Sequence, residues 1–268
     1  MSFVDPAAFP QFTPFTKTWH TAPYPFISPG RPALSAAGRH VVVTGGGTGI
    51  GLAIAVAFAQ AGAASVTIIS RRLAALQSGA ATISAAAGAG TQVLFEQADL
   101  ASRDATAAAF GAVAARVGGT IDVLVSNAGG GADGGPSVGA VADASDEHLL
   151  GSWTGLVMTA AHAVQAWLPV AGPEAVLLSS NTCFAHWRAV PGFGLYSVAR
   201  AALLKLTDYV QYENPRVRVV SVQPGWVATE GNGFQKEAPD VGTSSLPLPL
   251  LFAAAGRSGV AGIQTDGS

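Results

Sequence analysis

The chain has 268 residues, of which 49% are hydrophobic and 11% charged, and it carries a net charge of −2. That composition supplies ample apolar surface for a core and excludes a disordered chain, while the near-neutral charge argues against a nucleic-acid or anionic-membrane surface. The single cysteine, Cys183, excludes an internal disulfide framework and fits a reducing compartment, here the cytoplasm.

Residues 1–37 are rich in proline and aromatics (Phe9, Phe12, Phe15, Trp19, Tyr24, Phe26) and show neither helical nor strand periodicity. They read as an extended N-terminal arm lying on the domain or on a neighbouring subunit, with one domain over 38–268. The opening MSFVDPAAFPQF lacks the basic stretch and apolar segment of a secretory signal.

From His40 onward, short apolar runs alternate with alanine-rich segments of helical length. The runs are HVVVT (40–44), SVTIIS (65–70), TQVLFE (91–96), IDVLVS (121–126), AVLLSS (175–180) and VRVVSV (217–222). Uniformly apolar, β-branched strands separated by helices predict a parallel sheet covered on both faces, hence a doubly wound α/β fold of Rossmann type.

The first strand leads directly into TGGGTGIG (44–51). A tight strand-to-helix turn needs Gly45, approach of backbone to a pyrophosphate needs Gly49, and close packing of helix on sheet needs Gly51. Gly45, Gly47, Thr48, Gly49, Ile50 and Gly51 are therefore expected to hold the phosphates of a nicotinamide dinucleotide, with the amides and positive dipole end of the following helix. The second strand ends in Ser70-Arg71-Arg72. An acidic residue near this point selects the bare ribose of NAD(H). A hydroxyl and a guanidinium suit a 2′-phosphate, so Ser70 and Arg71 favour NADP(H) over NAD(H). Arg72 reads as a solvated residue opening the next helix.

Between Leu149 and Gly172 there is no formally charged side chain. The stretch is long enough to span a bilayer, but Ser152, Thr154, Thr159, His162, Gln165 and the Leu168-Pro169 pair argue instead for a helix buried in a domain or subunit interface. Such a helix, over about 147–167, has too few polar positions for a solvated face and predicts a homodimer or homotetramer. After Gly231 follow a loop, an apolar stretch at Leu246–Ala255 and a glycine-rich tail.

With these motifs in this order, the chain resembles the classical short-chain dehydrogenase/reductase family from about Ala37 onward. TGGGTGIG (44–51) is similar to its cofactor loop, Asp99-Leu100 to its adenine-contacting pair, and Asn127-Ala128-Gly129 to its sheet-stabilising segment. Tyr196, opening YSVAR, stands where the family has its catalytic tyrosine, and Pro224-Gly225-Trp226-Val227-Ala228-Thr229 is similar to the loop holding the nicotinamide carboxamide. The aromatic arm and GFQKEAP (233–239) resemble fungal members that act in small-molecule, secondary metabolism. The resemblance implies an oxidoreductase in which a tyrosine hydroxyl exchanges a proton with the substrate oxygen. A lysine lowers the tyrosine pKa and holds the nicotinamide ribose, a serine polarises the carbonyl, and an asparagine anchors a relay water.

Several positions depart from that pattern. Four residues after Tyr196 stands Arg200 in place of the lysine; on a helix it shares the tyrosine's face. Lys205 lies nine residues on, on the opposite side. No asparagine occurs between Asn127 and Asn181, so Ser152, Gly155 or Leu156 takes the relay position. At the family's serine spacing stands Cys183, a poor donor, with Thr182 and Ser180 close by. The final strand is expected to be very short or missing. Pocket shape is expected from the 129–139 loop, the 181–195 loop and the segment after Thr229.

The reading is an NADP(H)-dependent oxidoreductase interconverting a carbonyl and a secondary alcohol on a small-molecule substrate. Tyr196 would be the acid/base and Arg200 its cationic partner. Two alternatives keep the fold: a non-redox cyclase or isomerase, and a non-catalytic dinucleotide-binding protein. His20, His40, His148, His162 and His186 are scattered without metal-ligand spacing and read as surface or packing residues.

Overall fold

The computed structural model describes residues 24–130, 139–180 and 192–222, together with Pro224, Val227 and Thr229. Among these residues six strands form one sheet: β1 (His40–Thr44), β2 (Ser65–Ser70), β3 (Gln92–Gln97), β4 (Ile121–Ser126), β5 (Ala171–Ser179) and β6 (Arg218–Ser221). Their order is β3-β2-β1-β4-β5-β6, and every pairing is parallel. The chain leaves β1 in one direction through β2 and β3, then returns to β1's other side at β4. This is the doubly wound Rossmann arrangement, with its topological switch between β1 and β4.

Three of the six predicted strands have the expected bounds. β5 begins four residues earlier than the apolar run suggests, because Ala171 pairs with Ile121 across an irregularity in the register before the main ladder begins at Val123–Val176. Helices α1 (Gly49–Gln60), α2 (Leu73–Ala86), α3 (Arg103–Arg116), α5 (Thr159–Trp167) and α6 (Gly194–Glu213) cover the sheet, and α4 (Asp146–Trp153) packs against α6. One face is packed through Val41, Val43, Ile54, Phe58, Ile68 and Leu76, the other through Val42, Phe110, Leu124, Trp167 and Leu177. Successive β1 residues serve opposite faces, which is why the strand is apolar without alternation.

The helix predicted over 147–167 is not uniform. Between α4 and α5, Thr154–Met158 form a π-helical turn. There the Gly155 carbonyl accepts from the Gly130 amide (3.4 Å) and from the Thr159 hydroxyl (3.0 Å), which also reaches the Leu156 carbonyl (3.1 Å). Nor is the helix buried all round in the single chain: Leu149, Leu150 and Trp153 are exposed on α4, whereas Ala160, His162, Ala163, Val164 and Trp167 are buried on α5. Among the described residues no helix is long and apolar enough to cross a membrane.

The described part of the arm is stitched to the domain. Ile27, Leu34 and Ala36 are buried, the Ala36 amide donates to the Ala61 carbonyl at 2.9 Å, and Ala37 pairs with Ala63. The predicted arm before Tyr24 and the predicted C-terminal loop, apolar stretch and final strand lie outside the described residues.

Candidate active site

The first half of the site is a loop clamped at the switch point. Thr44, the last residue of β1, is buried and donates its hydroxyl to the Val125 carbonyl at 3.1 Å. The same oxygen accepts from the amides of Asn127 (3.0 Å) and Ala128 (3.1 Å), while Asn127 Nδ2 donates to the Thr44 carbonyl at 3.1 Å. The Asn127 Oδ1 accepts from Ser180 Oγ at 2.9 Å. Four strand ends thus share one network: β1, β4, and through Ser180 the exit of β5, with the Gly45 amide adding β2 by donating to Ile69 at 2.7 Å. Thr44 opens the TGGGTGIG motif, but nothing in the sequence marks it as the residue that clamps the loop to β4.

Gly45 turns the chain with φ of +67°, a left-handed conformation that favours glycine. Gly51 is required for a different reason: a Cβ there would stand 2.4 Å from the Gly45 carbonyl oxygen and 2.6 Å from Asn127 Nδ2. α1 begins at Gly49, and its N-cap residue Thr48 makes no side-chain capping bond. The first amides of α1, through Ile50, are therefore presented by a loop with little side-chain bulk, and Gly47 is buried against α2. Thr229 stands across from Gly49, its Cγ2 3.2 Å from where a Cβ would lie. A cradle of this form fits a pyrophosphate.

Ser70 closes β2, and its buried Oγ has no hydrogen-bond partner among the described residues. Arg71 and Arg72 are both exposed. Arg72 is the exposed N-cap residue of α2, as expected, and its Nη2 lies 3.5 Å from Thr48 Oγ1. The Arg71 carbonyl accepts from Gln97 Nε2 at 2.8 Å, and the Ser70 carbonyl from the Ala98 amide at 3.0 Å. These bonds join the end of β2 to the turn carrying Asp99 and Leu100. Asp99 is exposed and Oδ1 accepts from the Ala101 amide at 3.0 Å, while Leu100 is buried. Gly129 is exposed just beyond β4, Pro224 is buried, and Val227 is half-buried.

The second half of the site is the start of α6. Tyr196 is 8% exposed and packs among Leu156, Val157, Ala160, Phe193, Ala199 and Leu203, with the Phe193 ring edge-on at 6.2 Å between centroids. Arg200 is 5% exposed, yet its guanidinium donates from Nη2 to the Tyr196 hydroxyl oxygen at 2.7 Å and lies 4.6 Å from the centre of the ring. One turn of helix brings the two together. Lys205 faces away: its Nζ pairs with Asp208 Oδ2 at 2.7 Å at the surface. The hydrogen bond and then the charge of Asp208 hold this ammonium above the ordinary lysine pKa. Of the three candidates for the carbonyl-polarising role, Ser180 is buried and its hydroxyl is given to Asn127. Thr182 and Cys183, like Gly225, lie outside the described residues.

Fold and loop define a Rossmann-type α/β protein. The sequence matches the short chain dehydrogenase family over residues 39–240, and the chain belongs to that family, a family of oxidoreductases. A solved short chain dehydrogenase from Burkholderia cenocepacia, in complex with NADP, is similar at 27% identity with a TM-score of 0.71, covering 83% of this chain and 92% of its own. The L-sorbose reductase of Gluconobacter frateurii, complexed with NADPH and L-sorbose, is similar at 27% identity and a TM-score of 0.66, covering 74% of this chain and 73% of its own. An alcohol dehydrogenase from the archaeon Thermococcus sibiricus, complexed with 5-hydroxy-NADP, is similar at 25% identity and a TM-score of 0.66, covering 75% and 82%. Among curated proteins no significant match was found.

Proposed function

We propose that this chain is an NADP(H)-dependent oxidoreductase that interconverts a carbonyl and a secondary alcohol on a small-molecule metabolite. The observation that carries the reading is the buried contact between Arg200 and Tyr196, 2.7 Å from Nη2 to the phenol oxygen. A phenol is a weak acid, with an ordinary pKa of about 10, and proton transfer near neutral pH needs a positive charge beside it. Arg200 supplies that charge in a pocket where water screens it little. The phenol oxygen accepts from Arg200 and gives its own proton to the substrate oxygen during reduction; the phenolate left behind remains hydrogen-bonded to the guanidinium.

Bound NADPH would supply the hydride. The amides at the start of α1, with Gly45, Gly47, Thr48 and Gly49, would hold its pyrophosphate, and Asn127, Ala128 and Thr44 keep that loop in place. Ser70, Arg71 and Arg72 would take the 2′-phosphate, with Asp99 and Leu100 bordering the adenine. Pro224, Val227 and Thr229 would border the nicotinamide. The NADP and NADPH complexes of the similar enzymes support this choice of cofactor.

Incubation with NADPH and a panel of ketones, followed by loss of NADPH absorbance, tests the activity. Consumption that depends on the ketone supports it; NADPH binding with no turnover of any ketone moves the chain to the non-redox or non-catalytic reading. For cofactor choice, NADPH is expected to bind more tightly than NADH. Arg71→Ala should remove about 2 kcal/mol, roughly thirtyfold in Kd, from NADPH alone. Equal wild-type affinities in a fluorescence titration would refute the preference.

The chain is further proposed to be a homodimer or homotetramer. Leu150 (66% exposed), Trp153, Val198, Tyr209 and Tyr212 leave large apolar side chains on the outer faces of α4 and α6. Light scattering at micromolar concentration should report more than one subunit, and Leu150→Lys with Tyr212→Lys should shift the mass toward a monomer.

A further inference from the structure

His162 is buried on α5, 8% exposed, and its Nδ1 lies 3.0 Å from the carbonyl oxygen of Leu100. A carbonyl only accepts, so Nδ1 carries the proton and donates it. We infer that His162 is a positioning residue for the adenosine half of the dinucleotide: it fixes the turn after β3 that borders that half of the cofactor site. This rests on the cofactor reading proposed above.

The argument starts from where the turn lies. Residues 98–102 leave the carboxyl end of β3, on the edge of the parallel sheet outside which ligands of this fold bind. On one side the turn is tied to the end of β2, through Ala98 to Ser70 and Gln97 to Arg71. Those are the residues placed against the 2′-phosphate. Within the turn, Asp99 is held by its own bonds to Ala101 and Ser102. Nothing in these local bonds sets the height of the turn against the helical layer. The Leu100 side chain, in one core cluster with Ala163 and Val164 of α5, and the hydrogen bond from His162, 62 residues further along the chain, do so. His162's partner Leu100 is buried, so the carbonyl would otherwise lose water without gaining a donor. A residue of this size could have been apolar, as its neighbours Ala160, Ala163 and Val164 are; the donor is what distinguishes it.

The test is calorimetric titration of the full chain with NADPH and with adenosine 2′,5′-bisphosphate, which carries only the adenosine end. His162→Phe keeps a ring and removes the donor. His162→Asn keeps an N–H at the same distance from the backbone as Nδ1. The expected result is a weakening of about tenfold by His162→Phe, the scale of one buried hydrogen bond, equal for both ligands, with His162→Asn within about threefold of wild type. Thermal unfolding of each variant, measured alongside, separates folding from binding. Unchanged affinity in a folded His162→Phe, or a loss confined to NADPH and absent from the bisphosphate, would overturn the inference while leaving the cofactor reading intact. Failure of the wild type to bind either ligand would overturn both.

Discussion

Tyr196→Phe should bind NADPH within about twofold of wild type and lose turnover by about 10²- to 10⁴-fold, the usual contribution of a positioned proton donor. In the proposed reading the phosphates would be held by the loop after β1, far along the chain from α6, so the two properties separate. Arg200→Ala should leave the phenol without its cation. The phenol then moves toward the ordinary tyrosine range and becomes a weaker proton donor, so ketone reduction at neutral pH falls, while the reverse alcohol oxidation, which needs the phenolate, recovers in part in alkaline solution. Arg200→Lys keeps a charge on a shorter stem and should stay active or improve. A pH–rate profile of the three variants, with any ketone the wild type reduces, decides the matter. Wild-type activity in Tyr196→Phe would make the tyrosine a structural remnant and end the oxidoreductase reading.

Gly51→Ala is the second substitution with a large expected effect. The added carbon would stand 2.4 Å from backbone at Gly45 and 2.6 Å from Asn127 Nδ2, so either the turn or the clamp must shift. The cost in stability should be about 1–3 kcal/mol, that of an overpacked site. The cost in NADPH affinity should be larger, about a hundredfold, because at least two amide–phosphate bonds are displaced together. Thermal unfolding and titration of the same sample measure both. A variant that binds NADPH like wild type would show that the loop does not hold the pyrophosphate.

Much of this was legible in the residues. The strands that contact neighbours on both faces are mostly apolar, and β1, β2 and β4 fall on the predicted bounds because polar residues mark their ends: His40 and Thr44, Ser65 and Ser70, and Ser126. The spacing of Tyr196 and Arg200 placed them on one helical face, as observed. What sequence could not supply was direction across the fold. Arg72 reads as solvated and is exposed, and only the fold shows its guanidinium near Thr48. His162 reads as packing because its partner is a backbone carbonyl, which leaves no trace in residue type. Thr44 reads as the end of a strand, whereas its single oxygen bonds three backbone groups.

The π turn at Thr154–Met158 has a consequence for how this helix should be compared with others. At about 100° per residue, Ser152 and Ala160 would sit roughly 80° apart on an unbroken α-helix, too far for one narrow stripe. Both are nevertheless buried, as are Val164 and Trp167. Treating the π turn as one inserted residue brings the pair to within about 20° and aligns the inward edges of α4 and α5. The segment is two amphipathic helices spliced out of phase, which is why no single helical wheel gives it a wet side. An alignment that forbids a gap between 154 and 158 would misplace every residue beyond it by more than a quarter of a turn, His162 among them.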